Sequence, residues 1–172
     1  MPTYDVPTTV TWAMPSRWTF QIRPIREWIS KFWTPEMISV DPFAGTSELA
    51  TYHQDMGRGG IDAEEWATHL ADSGVEADLI FWDPPYSPRQ ISECYKGLGL
   101  KATGKDTQNA ALYSRVRKPL LRMATPTTTI LTFGWSTAGF SKEWEPFDIL
   151  IVRHGGAHND TICTAHRYVG DD

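Results

Sequence analysis

The feature that most restricts what this chain can fold into is the apolar run Ala77-Asp78-Leu79-Ile80-Phe81-Trp82, which stops on Asp83-Pro84-Pro85-Tyr86. A short run of this kind fits a strand buried on both faces, as in parallel α/β sheets. The two prolines remove two backbone N–H donors and hold the chain extended, so the strand cannot pass into a helix there. The Pro84 carbonyl is thereby fixed in direction. Together with the Asp83 carboxylate it offers two acceptors to one ligand group, and a group with two hydrogens to donate, such as an exocyclic amine, fits that pair. Tyr86 adds a flat ring on which a heteroaromatic base can stack, worth ~1–3 kcal/mol. For an isolated D-P-P-x, a proline turn with a solvated acid and a packed ring is the better reading. What precedes it here shifts the balance.

Met37-Ile38-Ser39-Val40 reads as a buried strand, and Asp41-Pro42-Phe43-Ala44-Gly45 as a tight glycine loop after it. In open α/β sheets, ligands bind at the carboxyl ends of strands beside the topological switch point. A glycine lets the backbone approach a ligand there, and Asp41 presents an acceptor. Ser47 stands where a second glycine is expected, so the loop by itself is weak evidence. Leu49–Gln54 is the second strand candidate, ending at Asp55. Gly57-Arg58-Gly59-Gly60 is a turn, and Asp62 caps a short helix carrying Glu64, Glu65 and His69. An acid after the second strand holds ribose hydroxyls in such folds. Asp55 closes the strand, whereas Asp62 lies nearer the usual spacing, and capping explains Asp62 equally well.

The rest of the chain follows an α/β plan. Residues 1–16 read as an extended arm. A helix starts at Pro24, places Ile25, Trp28, Ile29 and Phe32 at helical spacing, and is stopped by Pro35. Residues 87–104 read as a long loop, and Asp106–Met123 as a helix. Thr127–Trp135, Phe147–His154 and Asp160–Val169 are strands. Helices alternate with strands early and strands dominate late, which predicts a mostly parallel sheet with an antiparallel C-terminal strand.

A chain of 172 residues supports one domain. The formal charge of −5 rules out a global positive field, so any nucleic-acid contact needs local basic patches. Arg17, Arg23, Arg26 and Lys31 form one candidate patch, and Arg115, Arg117, Lys118 and Arg122 another. With Trp 8, Tyr 6 and Phe 7 the chain is rich in aromatic rings, most of them expected in the core and some free to stack bases. Two cysteines, Cys94 and Cys163, make no disulfide framework. The N-terminus has no signal-peptide pattern and no run is long enough to span a membrane, so the expected location is cytoplasmic. His154, His158, Cys163 and His166 are zinc-like in type, but Cys163 and His166 fall on opposite faces of the expected strand. No metal site is expected.

Asp83-Pro84-Pro85-Tyr86 after an apolar strand resembles the catalytic motif of amino-methyltransferases that use S-adenosylmethionine, and Asp41–Gly45 resembles their cofactor loop. The segments WAMPSRWTFQIRPI, DPPYSPRQISECYKGLGL, LTFGW and HGGAHNDTI extend the resemblance, from about Trp12 to Val169, to small phage-type DNA adenine methyltransferases. The resemblance implies a Rossmann-like S-adenosylmethionine methyltransferase fold without a separate target-recognition domain. It implies transfer of a methyl group to the N6 amine of adenine in duplex DNA, with the base flipped out onto the motif. It places Thr19, Phe20 and Ile22 against the methionine part of the cofactor, and Asp41, Pro42, Phe43, Ala44 and Gly45 beneath it. Asp55 is then assigned to the ribose hydroxyls, and Asp62 with Ala63 to the adenine amine of the cofactor. Asp83, Pro84, Pro85 and Tyr86 are the implied catalytic residues. The chain departs from the pattern at Thr46-Ser47 after Gly45, and in having only nine residues between Gly45 and Asp55, which shortens the usual helix. Competing readings are an RNA guanine-N2 methyltransferase, an N4-cytosine DNA methyltransferase and a non-catalytic nucleic-acid-binding subunit. Sequence specificity is expected from loops, a homodimer partner or another subunit.

Overall fold

A computed structural model describes residues 5–85, 96, 109–137 and 139–170. Seven strands form one sheet: β1 (Thr8–Trp12), β2 (Ser39–Asp41), β3 (Tyr52–His53), β4 (Ala77–Trp82), β5 (Ala124–Gly134), β6 (Trp144–Arg153) and β7 (Thr161–Tyr168), in the order β1-β6-β7-β5-β4-β2-β3. The helices are α1 (Arg23–Ile29), α2 (Ala63–Asp72) and α3 (Asn109–Met123). β1 runs parallel to β6, and β2, β3, β4 and β5 run parallel to one another. β7 is antiparallel to both β5 and β6. All strands except β7 therefore point the same way, and the sheet is Rossmann-like with the expected antiparallel C-terminal strand. It is covered on both faces, as a parallel sheet must be.

Strand alternation divides the core. Leu79 and Phe81 of β4, Leu131 and Phe133 of β5 and Cys163 and Ala165 of β7 face α1, where Ile25, Trp28 and Ile29 meet them. Ile80, Trp82 and Ile130 face the opposite way, onto Ala67 of α2 and Val116, Leu120 and Met123 of α3. The apolar run from Leu79 to Trp82 thus serves both layers at once. Asp148 of β6 fixes α1 in place, accepting from Trp28 Nε1 at 2.6 Å and from Lys31 Nζ at 2.7 Å.

The structure corrects several expected elements: the first helix ends at Ile29, ahead of Pro35, and β5 begins at Ala124, ahead of Thr127. Within the supposed arm, the β-branched stretch Thr8–Trp12 adds an edge strand to the sheet. The second strand shrinks from Leu49–Gln54 to Tyr52–His53, because Thr51 bonds by side chain and backbone to Met37 and Ser39 instead of joining a ladder. β6 begins at Trp144, ahead of the expected Phe147, since Pro146 is accommodated at a register shift. The connection from β2 to β3 carries no helix, as the short spacing from Gly45 to Asp55 foreshadowed. The long loop expected at 87–104 lies outside the described residues, Lys96 excepted. No helix among the described residues is long and apolar enough to cross a membrane.

Candidate active site

From β2 the chain moves outward to β3, then crosses back to β4 on the other side of β2. That reversal is the topological switch point, and open α/β sheets bind ligands beyond the carboxyl ends of the strands at such a point. Asp41 is the last residue of β2, and Asp83 directly follows β4. The two acids that the sequence singled out at strand ends therefore sit at the ends of neighbouring strands beside this point. Asp55 joins them from the end of β3.

Asp41 is buried, and its Oδ1 accepts from the Phe43 N–H at 3.1 Å. Burial raises its pKa well above the ordinary carboxylate range. The Phe43 N–H works against that rise, while the charges of Asp83 and Asp55 add to it. Asp41 does accept, but its observed donor is the Phe43 N–H of its own loop. The charge of the half-buried Asp83 also adds to the raised pKa values of Tyr113 and Cys163, after burial in each case.

The Asp41–Gly45 loop is held by its own amides. Phe43 donates to Asp41, Ala44 to the Gln54 carbonyl at 3.0 Å, Gly45 to Asp55 Oδ2 at 3.2 Å and Ser47 to the Ala44 carbonyl at 2.9 Å. Gln54 Nε2 in turn donates to the Pro42 carbonyl at 2.7 Å. A loop that binds pyrophosphate presents its N–H groups to the ligand. Here these donors are taken up within the protein, by Asp41, Asp55 and the Gln54 and Ala44 carbonyls. Asp55 retains acceptor capacity, because a carboxylate has about four lone-pair sites and the amides of Gly45 and Gly57 take two of them.

Gly45 has φ +57°, and the ring of Trp18 covers its Cα. The Arg17 guanidinium lies 4.9 Å from the centre of that ring. After Trp18 the chain makes a 3-10 turn at Thr19–Gln21. Phe20 is half-buried there, its ring centre 5.3 Å from that of Phe81 and 4.9 Å from that of Phe133. Ile22 is buried in the core, so of the three pre-strand candidates Thr19 is the polar one. Asp62 caps α2, accepting at Oδ1 from Glu64 N at 2.9 Å and Glu65 N at 3.3 Å, and Ala63 is buried beside it. Tyr86 lies outside the described residues.

Sequence reasoning missed Trp18, which adjoins the flagged Thr19, and Tyr113, whose hydroxyl donates to the Pro85 carbonyl at 3.3 Å. Four residues of the basic clusters form ion pairs within the chain. Arg23 pairs with Glu27, Lys31 with Asp148, Arg115 with Glu64 and Arg122 with Asp72. Arg117 lies among the rings of Trp82, Tyr113 and Phe140, at 5.4, 5.6 and 5.3 Å from their centres. His154 bonds through its ring nitrogens to the Ala13 carbonyl and the Thr161 hydroxyl, both at 2.8 Å. Cys163 faces the α1 layer, whereas His166 pairs in register with Ile130 of the opposite layer.

No protein-family model and no curated protein matches the sequence. Among solved structures, one similar chain is a SAM-dependent methyltransferase from Agrobacterium tumefaciens, with 10% identity and a TM-score of 0.39. The match covers 96% of this chain and 57% of that one, so this chain spans little more than half the neighbour's length. The architecture assigned above rests on the strand order and register of the sheet itself.

Proposed function

We propose that this chain is an S-adenosylmethionine-dependent amino-methyltransferase acting on the N6 amine of adenine in DNA. The observation that carries the reading is the pairing of Asp41 and Asp83 on the two strands that flank the switch point, with Asp55 beside them. A glycine loop whose amides are taken up internally, with the carboxylate of Asp55 bonded to it, fits a sulfonium cofactor and disfavours a pyrophosphate. When bound, S-adenosylmethionine supplies an electrophilic methyl group. Asp41, Pro42, Phe43, Ala44 and Gly45 would form the floor of its site, with Asp55 toward the ribose hydroxyls. Asp62 and Ala63 would lie toward the adenine of the cofactor, and Thr19, Phe20 and Ile22 toward its methionine end.

The chemical role falls to Asp83 and the Pro84 carbonyl. An aromatic amine is a poor nucleophile because its lone pair is delocalised into the ring. Accepting both N6 hydrogens favours a pyramidal nitrogen with a localised lone pair. As positive charge develops on that nitrogen, the same two acceptors bind it more strongly than the neutral ground state, which is the condition for lowering the barrier. Asp83 then accepts the proton that the alkylated nitrogen releases. Tyr86 supplies the stacking surface for the flipped base.

A nucleic acid substrate is supported by the same edge of the sheet. Trp12, Met14 and Trp135 are 61%, 70% and 48% exposed, and they stand at or just beyond the carboxyl ends of β1 and β5. Arg153 is exposed at the end of β6, and Arg17 lies exposed on Trp18. Four strand spacings separate β1 from β4, about 19 Å in all. Exposed rings and arginines along such an edge suit a polyanion with stacked bases, despite the net negative charge. The test is nucleoside mass spectrometry of DNA and RNA from cells expressing wild type or Asp83→Ala. N6-methyladenine in DNA that depends on Asp83 supports the reading. N2-methylguanine in RNA or N4-methylcytosine in DNA would replace it.

A further inference from the structure

Pro84 and Pro85 have no N–H, so the turn that follows Asp83 cannot be tied to its surroundings by its own backbone donors. Its orientation has to be set through carbonyl oxygens and packing. Tyr113 of α3 meets that requirement, donating its hydroxyl to the Pro85 carbonyl at 3.3 Å. The Tyr113 ring is itself held, edge-on to Trp82 with ring centres 5.7 Å apart at 77°. The Arg117 guanidinium lies over both rings and over Phe140. Trp82 immediately precedes Asp83 and also meets Phe43 of the cofactor loop edge-on, at 5.6 Å and 76°. One cluster of rings and a guanidinium therefore grips the chain on both sides of Asp83 and reaches the loop after β2.

We propose that Tyr113 is a positioning residue for Asp83-Pro84-Pro85, with Arg117 as its clamp: it sets the direction of the carbonyl that would accept the target amine. Residues before prolines are confined to extended or polyproline-like backbone, in which successive carbonyls point about a third of a turn apart. Asp83 and Pro84 both precede a proline, so holding the Pro85 carbonyl restrains the short stiff segment that carries the Pro84 carbonyl. Burial pushes the Tyr113 hydroxyl to a higher pKa, against the pull of Arg117 and with the charge of Asp83 adding to the rise. The hydroxyl stays a donor across the neutral range. This inference rests on the reading of Asp83 and Pro84 as a pair that accepts an amine.

Tyr113→Phe keeps the ring and removes only the donor. In the full-length protein its kcat for methyl transfer should fall by about ten- to a hundredfold. KM for cofactor and for DNA should stay within about twofold, and Tm within about 2–4 °C, as expected for the loss of one hydrogen bond. Arg117→Lys, which loses the flat guanidinium, should lower kcat in the same direction. In protein labelled with 13C-proline, the Pro85 carbonyl resonance, assigned with Pro85→Ala, should move upfield in Tyr113→Phe. Unchanged kcat in Tyr113→Phe, or a loss that follows cofactor affinity, overturns the positioning role. If wild type transfers no methyl group, the function reading fails separately, and the Pro85 resonance decides the inference: a shift supports the contact and an unmoved resonance overturns it.

Discussion

The ring of Trp18 lies where a side chain at residue 45 would stand: a Cβ built on Gly45 falls 2.7 Å from Trp18 Cζ3 and 2.8 Å from Cε3. With φ at +57°, Gly45 also occupies backbone space that costs an L-residue about 1–2 kcal/mol. Gly45→Ala should therefore destabilise the protein by at least that amount and weaken cofactor binding. Both strain and collision contribute, and Trp18→Ala relieves only the collision. Chemical denaturation of the two single variants and the double variant should show the double less destabilised than the sum of the singles. Strict additivity would mean that the ring does not press on residue 45.

Asp41 gives a second prediction. Burial raises its pKa in the folded protein, so the folded state holds this proton more tightly than the unfolded chain does. Its contribution is then fully favourable below the ordinary carboxylate pKa and is lost as pH rises through the raised value. Asp41→Asn removes the ionisation while keeping an oxygen for the Phe43 N–H. Its Tm should exceed that of wild type by at least about 2 °C at pH 8, with the gap closing toward pH 4. A variant less stable than wild type at pH 8 would contradict a buried, proton-favouring Asp41.

His166 titrates with the opposite sign. It is buried between layers, its Nε2 3.1 Å from the Thr132 hydroxyl, and burial followed by the charge of Arg117 lowers its pKa from 6.5 to about 4. The unfolded chain takes up this proton first, so the stability present above pH 6.5 is lost as pH falls toward about 4, by an amount on the order of 3 kcal/mol. Measured in the Asp41→Asn background, which removes the opposing titration, His166→Gln should show a flatter stability profile between those limits. A profile as steep as that of the Asp41→Asn parent would assign the acid sensitivity elsewhere.

The fold was legible because its strands are marked at their ends. Ala77–Trp82 stops on two prolines and Ser39–Asp41 on Pro42, and the structure ends both strands there. The edge strand Thr8–Trp12 was not legible, because its partner, β6, is far away in sequence and its own pattern resembles an arm. For the candidate site, the sequence picked out the acids at the strand ends but not their environment. That Asp41 is buried, that the loop amides are taken up within the protein, and that Tyr113 reaches the Pro85 carbonyl all depend on contacts between distant segments. Composition was least informative about charge: most of the arginines and lysines of the two basic clusters are paired or caged.

In the proposed function Asp83 promotes methyl transfer to an amine and is not needed to hold the cofactor. This role is tested most directly with purified wild type and Asp83→Ala, measuring transfer from methyl-labelled S-adenosylmethionine to duplex DNA beside calorimetric cofactor affinity. Wild type should transfer the methyl group, the variant should lose about a hundredfold or more, and its cofactor affinity should stay within about threefold of wild type. Near-wild-type turnover by Asp83→Ala, or no cofactor binding by either protein, would contradict this reading.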